Sequence, residues 1–227
     1  MRRCVALFAK RPEAGKVKTR LQSACSPSEA AHLYRAFLLD TATTVSAVRA
    51  EEKVIAYAPT GAEEFLRDLL CEAGSFTYVA QRDGTLGERM QDVIAGALGR
   101  GAERVVLLGS DSPDLPAEYV NRAFDLLVEH PLVLGPSTDG GYYLIGLQRG
   151  ARCPMADIAW STGDVLDQTL AAIGEQSLGL LPVWYDVDTP REAAFLRVHL
   201  RAQRLAGTAV GRYSLPALEQ MALPSPS

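Results

Sequence analysis

Two hydrophobic periods alternate along this chain. Residues 4–9, 54–58, 76–80 and 105–108 form short, largely apolar runs without strict in-out alternation. Such runs read as strands covered on both faces. Between them, residues 27–49, 63–71 and 117–129 carry apolar positions at helical spacing, for example Leu33, Ala36, Phe37, Ala47 and Val48 in the first. The resulting β-α-β-α-β succession predicts right-handed crossovers and a doubly wound sheet. After Pro131 the alternation breaks: residues 132–136 and 142–147 are two strand-like runs joined by Ser137-Thr138-Asp139-Gly140-Gly141, a tight-turn sequence. At least one of them is expected to run antiparallel, which makes the α/β sheet mixed but mainly parallel. A helix at 165–173, capped by Ser161 or Thr162, a last strand at 178–185 and a helix from Pro190 to about residue 204 complete the pattern. Thr85 with Glu88, and Thr189 with Glu192, have capping-box spacing. The expected organisation is one domain, residues 1–206, with a partly disordered extension at 207–227 whose end, Leu-Pro-Ser-Pro-Ser, is frayed.

Composition adds the class of molecule. A chain of 227 residues with 48% hydrophobic positions can bury a full core. The apolar stretch at 4–9 is too short for a secretory or membrane segment, so a cytoplasmic protein with no membrane partner is expected. Cys4, Cys25, Cys71 and Cys153 are scattered without paired spacing, which fits neither a zinc site nor a disulfide framework. Charge is more telling in its placement than in its sum. Arg2, Arg3, Lys10, Arg11, Lys16, Lys18 and Arg20 stand against only Glu13 in the first twenty residues, a local +6 on a chain of net charge −4. A focused basic cluster on an acidic chain indicates a small anion site and not a polynucleotide surface, which would spread cations over a face and add aromatic platforms.

Candidate chemistry collects where strands end. The first run exits into Lys10-Arg11-Pro12-Glu13-Ala14-Gly15-Lys16-Val17-Lys18-Thr19-Arg20, where Gly15 permits close backbone approach and Lys10, Lys16, Lys18 and Arg20 suit a polyphosphate. It is not a Walker loop: the first glycine is missing and Val17 stands where a hydroxyl is required. The fourth run stops on Gly109-Ser110-Asp111-Ser112-Pro113-Asp114, so Asp111 belongs at a strand's carboxyl end beside Ser110, the ligand side of an open α/β sheet. There it either holds a hard cation or caps the next helix. Gly84 and Gly87 follow the third strand and permit backbone approach to a base or ribose, although a capped helix start explains that stretch equally. Asp139, Gly140 and Gly141 form either a turn or one wall of a site. Ser161 and Thr162 offer hydroxyls before a helix, and Asp186 and Asp188 share a face at the last strand's exit. A parallel sheet delivers all of these to one edge. Two carboxylates faced by lysines are the parts needed to hold Mg²⁺ on a nucleotide phosphate.

Phe8-Ala9-Lys10-Arg11-Pro12, Gly15-Lys16-Val17-Lys18-Thr19-Arg20-Leu21, Gly109 to Pro116, Pro136 to Gly146 and Asp186-Val187-Asp188-Thr189-Pro190 together resemble a bacterial family of glycosyltransferase-like proteins related to 2-phospho-lactate guanylyltransferase. Some of its members are linked to arsenosugar biosynthesis. The family lies in the nucleotide-diphospho-sugar transferase superfamily, and the resemblance spans roughly residues 3 to 200. It implies a three-layer, Rossmann-like glycosyltransferase-A fold and a Mg²⁺ or Mn²⁺ cofactor. It also implies Asp111 and Asp188 as metal ligands and Lys18 and Arg20 as the basic pair that grips triphosphate. Two departures stand out: the opening loop has only Gly15 where related nucleotidyltransferases are glycine-rich, and Asp111-Ser112-Pro113-Asp114 replaces the Asp-x-Asp of many glycosyltransferases of this fold.

The expectation is therefore a metal-dependent nucleotidyltransferase, with Lys18, Arg20, Asp111 and Asp139 as catalytic residues. Lys10, Gly15, Lys16, Gly84, Gly87 and Ser110 would line the nucleotide, and Asp139, Gly140, Gly141, Ser161 and Thr162 a small phosphorylated or acidic acceptor. A glycosyltransferase using a nucleotide-sugar and a non-catalytic nucleotide-binding module are the alternatives, and a homodimer is compatible with all three.

Overall fold

The computed structural model, which describes residues 1–225, gathers the apolar runs into one seven-stranded sheet. Its strands are β1 (Arg3–Lys10), β2 (Glu52–Ala58), β3 (Thr77–Ala80), β4 (Arg104–Leu108), β5 (Leu132–Pro136), β6 (Tyr142–Gln148) and β7 (Leu178–Leu180). They lie in the order β3-β2-β1-β4-β6-β5-β7, and β6 alone runs antiparallel to its neighbours β4 and β5. The sheet is mixed and mainly parallel, as the run pattern predicts.

Helices α1 (Pro27–Ala47), α2 (Glu63–Leu70), α3 (Leu86–Gly99), α4 (Ala117–Leu126), α5 (Val165–Ile173), α6 (Pro190–Leu205) and α7 (Ser214–Glu219) cover it. Side chains alternate across each strand, so β1 feeds two cores. Val5 and Leu7 pack with Leu38 of α1, Leu66 of α2 and Phe124 of α4; Cys4 and Ala6 meet Met90, Val93 and Ile94 of α3 on the other face. The result is three layers. Each fully buried aliphatic or aromatic side chain contributes about 1.5–3 kcal/mol. Both predicted capping boxes form, at α3 and α6, and Ser26 with Glu29 makes a third at α1. Among the described residues no helix is long and apolar enough to cross a membrane.

The connectivity creates a crevice. From β1 the chain moves outward to β2 and β3, then returns to β4 on the opposite side of β1. The loops leaving β1 and β4, which lead into α1 and α4 on the same face of the sheet, lie side by side at the strands' carboxyl ends, and the cleft opens there.

Three expectations are revised. The strand expected over 178–185 pairs with β5 only through Leu178–Leu180, and a single parallel bridge follows between Ser137 and Trp184. Leu181 N still donates to the Leu134 carbonyl, but the next bond to β5 comes from Trp184 N to the Pro136 carbonyl, so the Pro182-Val183 stretch holds one residue too many and the regular ladder ends. At α5 the cap position is Asp164 and not Ser161 or Thr162; the Thr162 hydroxyl instead accepts from Asp164 N at 3.3 Å. Finally, the stretch beyond residue 206 contributes α7, whose Leu215 and Leu218 pack with Leu33 and Phe37 of α1 and with Leu196 and Leu200 of α6. Asp40 pins it by accepting from Ser214 N and Oγ at 2.7 and 2.5 Å. Of the frayed end expected at Leu-Pro-Ser-Pro-Ser, residues 226–227 lie outside the described residues.

Candidate active site

A cavity of about 560 Å³ opens at the crevice. Its floor comes from Leu107 and Leu108 at the end of β4 and from Tyr143 to Ile145 of β6. One wall is basic: Lys10, Lys16, Lys18 and Arg20 from the loop after β1, with Arg89 of α3. The other, from β6, the turn before it and the segment before α5, carries Asp139, Gly141, Tyr142, Trp160, Ser161, Thr162 and Gly163, with Asp111, Asp186 and Asp188 below. A second cavity of about 410 Å³ adjoins the first through Lys10, Lys16, Val17, Gln81 and Arg89.

Lys18 is the hub between the walls. Its backbone is left-handed, φ 47°, which is rare for a side chain of this size, and its side chain is only 2% exposed. Nζ donates to Asp111 Oδ1, to the Val187 carbonyl at 2.7 Å and to Asp188 Oδ1 at 2.9 Å. Burial works against the ammonium charge, but Asp111 and Asp188 outweigh it and raise the Lys18 pKa above the ordinary lysine value. Asp188 is held below the usual carboxylate range: burial opposes its charge, while Lys18 and then Arg20, whose Nη1 lies 3.5 Å from Oδ2, favour it.

The loop after β4 also contributes Ser110 to the cavity lining. Ser110 Oγ bonds the Tyr34 hydroxyl at 2.9 Å, and that oxygen accepts from Lys10 N at 3.0 Å, which ties α1 to both strand exits. Ser112 Oγ donates to Asp186 Oδ1 at 2.6 Å and to the Tyr185 carbonyl at 3.0 Å. Burial first, then the charges of Asp111 and Asp139, push the Asp186 carboxyl up to about 7. Asp114 is fully buried and accepts from the Tyr185 hydroxyl at 2.5 Å and from Trp184 Nε1 at 3.3 Å, with His199 Nδ1 at 2.9 Å.

The glycines divide by position. Gly15, φ +78°, lies at the open tip of the turn closed by Lys16 N to Glu13 O, outside both cavities. Gly84 lines the second cavity. Gly87 is buried against Trp160 and the Met155 carbonyl, where a Cβ has no room; it supports the wall without facing the opening. Gly140, φ +88°, is pressed onto the Gly163 carbonyl and seats the 137–141 turn on the segment before α5. Asp139 Oδ1 accepts from Gly141 N at 3.0 Å, so Asp139 is both a turn-former and a cavity residue. Ser161 is strained, φ +66°.

Two residues of the cavity escape sequence reasoning. Gln81 donates from Nε2 to the Ala56 carbonyl at 2.7 Å and accepts from Arg89 Nη1 at 3.2 Å. Arg89 Nε is buried without a partner among the described residues. The only signal available was position: Gln81 ends the third apolar run, and Arg89 follows the capping-box Glu88.

The donor set suits a hard divalent cation. Asp111 Oδ1, Asp188 Oδ1 and the Val187 carbonyl converge on one ammonium, a point charge that stands where an oxygen-ligated cation would fit. Among the described residues no three Asp, Glu, His or Cys side chains converge tightly enough to hold a metal alone. Mg²⁺ needs no more than one or two carboxylates when phosphate and water complete its shell.

Comparison with known proteins places this site in context. The family model described as uncharacterised protein conserved in bacteria (DUF2064) matches residues 41–162, a stretch that includes Asp111 and Asp139 but not the basic loop or Asp188. The chain is 36% identical to a candidate nucleotide-diphospho-sugar transferase from Desulfovibrio desulfuricans G20, with a TM-score of 0.85 over 97% of this chain and 95% of that one. It shares its fold with 4-diphosphocytidyl-2C-methyl-D-erythritol synthase from Anaerococcus prevotii DSM 20548, TM-score 0.60, 13% identity, over 88% and 96% of the two chains. The fold also matches Rv0371c from Mycobacterium tuberculosis H37Rv in complex with manganese, TM-score 0.50, 17% identity, over 86% and 98%. No curated protein matches the chain.

Proposed function

We propose, for a chain that belongs to the DUF2064 family and has the nucleotide-diphospho-sugar transferase fold, a divalent-metal-dependent transferase that acts on an activated nucleotide. Its most specific form is nucleotidyl transfer: an acceptor oxygen attacks the α-phosphorus of a nucleoside triphosphate, and pyrophosphate leaves. The observation that carries this reading is the meeting of a four-cation loop with Asp111 and Asp188 in one cavity. A synthase that its name assigns to diphosphocytidyl chemistry and a manganese-bound protein share the fold, which supports the class.

Each group has a role of its own. Asp111 and Asp188 would hold Mg²⁺ or Mn²⁺, which when bound neutralises phosphate charge and stabilises the departing pyrophosphate. Lys10, Lys16 and Arg20 bind the triphosphate by charge and fix its orientation. Lys18, buried against Phe37 with the ring centroid 5.4 Å from Nζ, delivers a charge whose strength the low-dielectric surroundings increase. Asp139, which lines the opposite wall, would take the acceptor's proton. Trp160 and Tyr142 meet edge to face, centroids 6.2 Å apart, and shape the space in which the acceptor lies.

One observation favours a second reading. The wall built by Asp139, Tyr142 and residues 160–165 contributes no lysine or arginine to the cavity lining. A phosphorylated or carboxylate acceptor would face Asp139 and Asp186 without a counter-charge, whereas an uncharged hydroxyl compound would find hydrogen-bond acceptors. That arrangement also suits a glycosyltransferase, in which a nucleoside diphosphate leaves a sugar donor and a hydroxyl attacks.

Incubation with each nucleoside triphosphate or common nucleotide-sugar and Mg²⁺ or Mn²⁺ separates the readings. Pyrophosphate release from one triphosphate supports nucleotidyl transfer, and nucleoside diphosphate release from one sugar donor supports glycosyl transfer. Thermal unfolding provides the ligand-binding control, since a ligand at about a hundredfold over Kd stabilises by roughly 2.7 kcal/mol. If no nucleotide moves the unfolding temperature with either metal, the proposal falls.

A further inference from the structure

We propose that Lys18 is an internal counter-ion that fills the cation position between Asp111 and Asp188, so that the free protein takes up divalent metal weakly and acquires it together with the nucleotide. The inference rests on the metal role given to those two acids above. It goes further by fixing the order in which ligands enter.

Three observations carry it. The Lys18 ammonium contacts Asp111, Asp188 and the Val187 carbonyl at once, and its side chain is 2% exposed, so it occupies the same oxygens that a metal would use. The backbone at Lys18 is left-handed, so the residue is held in this place by its surroundings and not by local preference. The charge balance is already closed: the two carboxylates face Lys18 and, at 3.5 Å from Asp188, Arg20. A divalent ion arriving alone would add two positive charges to a cluster whose carboxylates already face two cations, and would repel the buried ammonium at close range.

A triphosphate changes this balance. It carries more negative charge than one metal ion carries positive, and Lys10, Lys16 and Arg20 draw it to the wall from which Lys18 emerges. The ammonium can then exchange carboxylate oxygens for phosphate oxygens, and the vacated carboxylates accept the metal.

The test is a titration of metal-free protein with Mn²⁺, reading free Mn²⁺ by electron paramagnetic resonance. Wild type, Lys18→Met and Lys18→Met/Asp111→Asn are compared, each without nucleotide and with each of the four common nucleoside triphosphates. Lys18→Gln, which keeps a hydrogen-bond donor, serves as a second neutral variant, and circular dichroism confirms folding. Wild type alone should bind Mn²⁺ weakly, and a triphosphate should tighten it. Lys18→Met should bind free Mn²⁺ about tenfold or more tightly than wild type, and Asp111→Asn should remove that gain. Wild type that binds Mn²⁺ alone as tightly as Lys18→Met, while a triphosphate still supports binding, overturns the counter-ion role and leaves the proposed function standing. Mn²⁺ binding by no protein under any condition removes the metal reading itself, and this inference with it.

Discussion

Asp111 and Asp114 lie three residues apart at the exit of one strand, and the fold gives them opposite tasks. The Asp111 side chain is 43% exposed, faces the main cavity and is held by a single ammonium, that of Lys18. Asp114 is fully buried and locked by Tyr185, Trp184 and His199 from the chain that returns after β7 and from α6. Both are polar, both follow β4, and both end near the segment 184–188. The difference is solvent: a carboxylate that must exchange partners keeps one side open, whereas a carboxylate that must hold a loop is desolvated and surrounded by donors. The Asp114 clasp positions the stretch that carries Asp186 and Asp188, so a structural acid sets the place of the proposed metal ligand.

Substitution should separate the two, with the largest effect on turnover. Asp111→Ala is expected to lower metal-dependent transfer by on the order of 10²–10³-fold while shifting stability by about 1 kcal/mol or less, because Lys18 keeps Asp188 and the Val187 carbonyl. Asp114→Ala should do the reverse in kind: it strands two donors and a histidine, at a cost of about 3 kcal/mol in urea unfolding. Equal stability losses for the two variants would erase the contrast. Ser112, between them, donates to Asp186 and to the Tyr185 carbonyl. Ser112→Ala should cost about 1 kcal/mol and reduce turnover less than Asp111→Ala does, as a steady-state comparison would show.

The smallest effect is in the pH dependence of stability, where the two clusters should differ in sign. The hydrogen bond that His199 donates to Asp114 raises its pKa above the ordinary 6.5. Its contribution is therefore complete below about 6.5 and is lost as pH rises through the elevated value. Asp188 is lowered beneath 3.8, with burial opposed and outweighed by Lys18, so its contribution is present above 3.8 and disappears as pH falls through the lowered value. Unfolding midpoints across pH should show a decline on each side. Asp186, raised to about 7, adds its own loss of stability as pH climbs from 3.8 through about 7, so His199→Gln should flatten only the later part of the alkaline decline and Asp188→Asn the acid one; a His199→Gln protein that kept that later part would detach His199 from the clasp.

Much of the frame was legible because short-range rules decide it. The apolar runs at 4–9 and 105–108 could only be buried strands, and the Thr85 and Thr189 boxes form by local hydrogen bonds within four residues. The run at 178–185 misled because apolar content does not reveal the one-residue register shift at Pro182-Val183. The glycines were the least readable. Gly87 and Gly140 are small for the sake of Trp160 and of Gly163, partners distant in sequence.

The sequence by itself determined the α/β alternation, the mixed sheet and the delivery of a basic loop, Asp111 and Asp188 to one edge, since strand direction and loop order follow from pattern and connectivity. Only tertiary structure decided that Lys18 sits between the two acids, that Ser110 turns to Tyr34, that Asp114 is a clasp and that Arg89 and Gln81 join the cavity. Those outcomes depend on which side chains meet across the cleft between β1 and β4, and on how much water each meeting excludes.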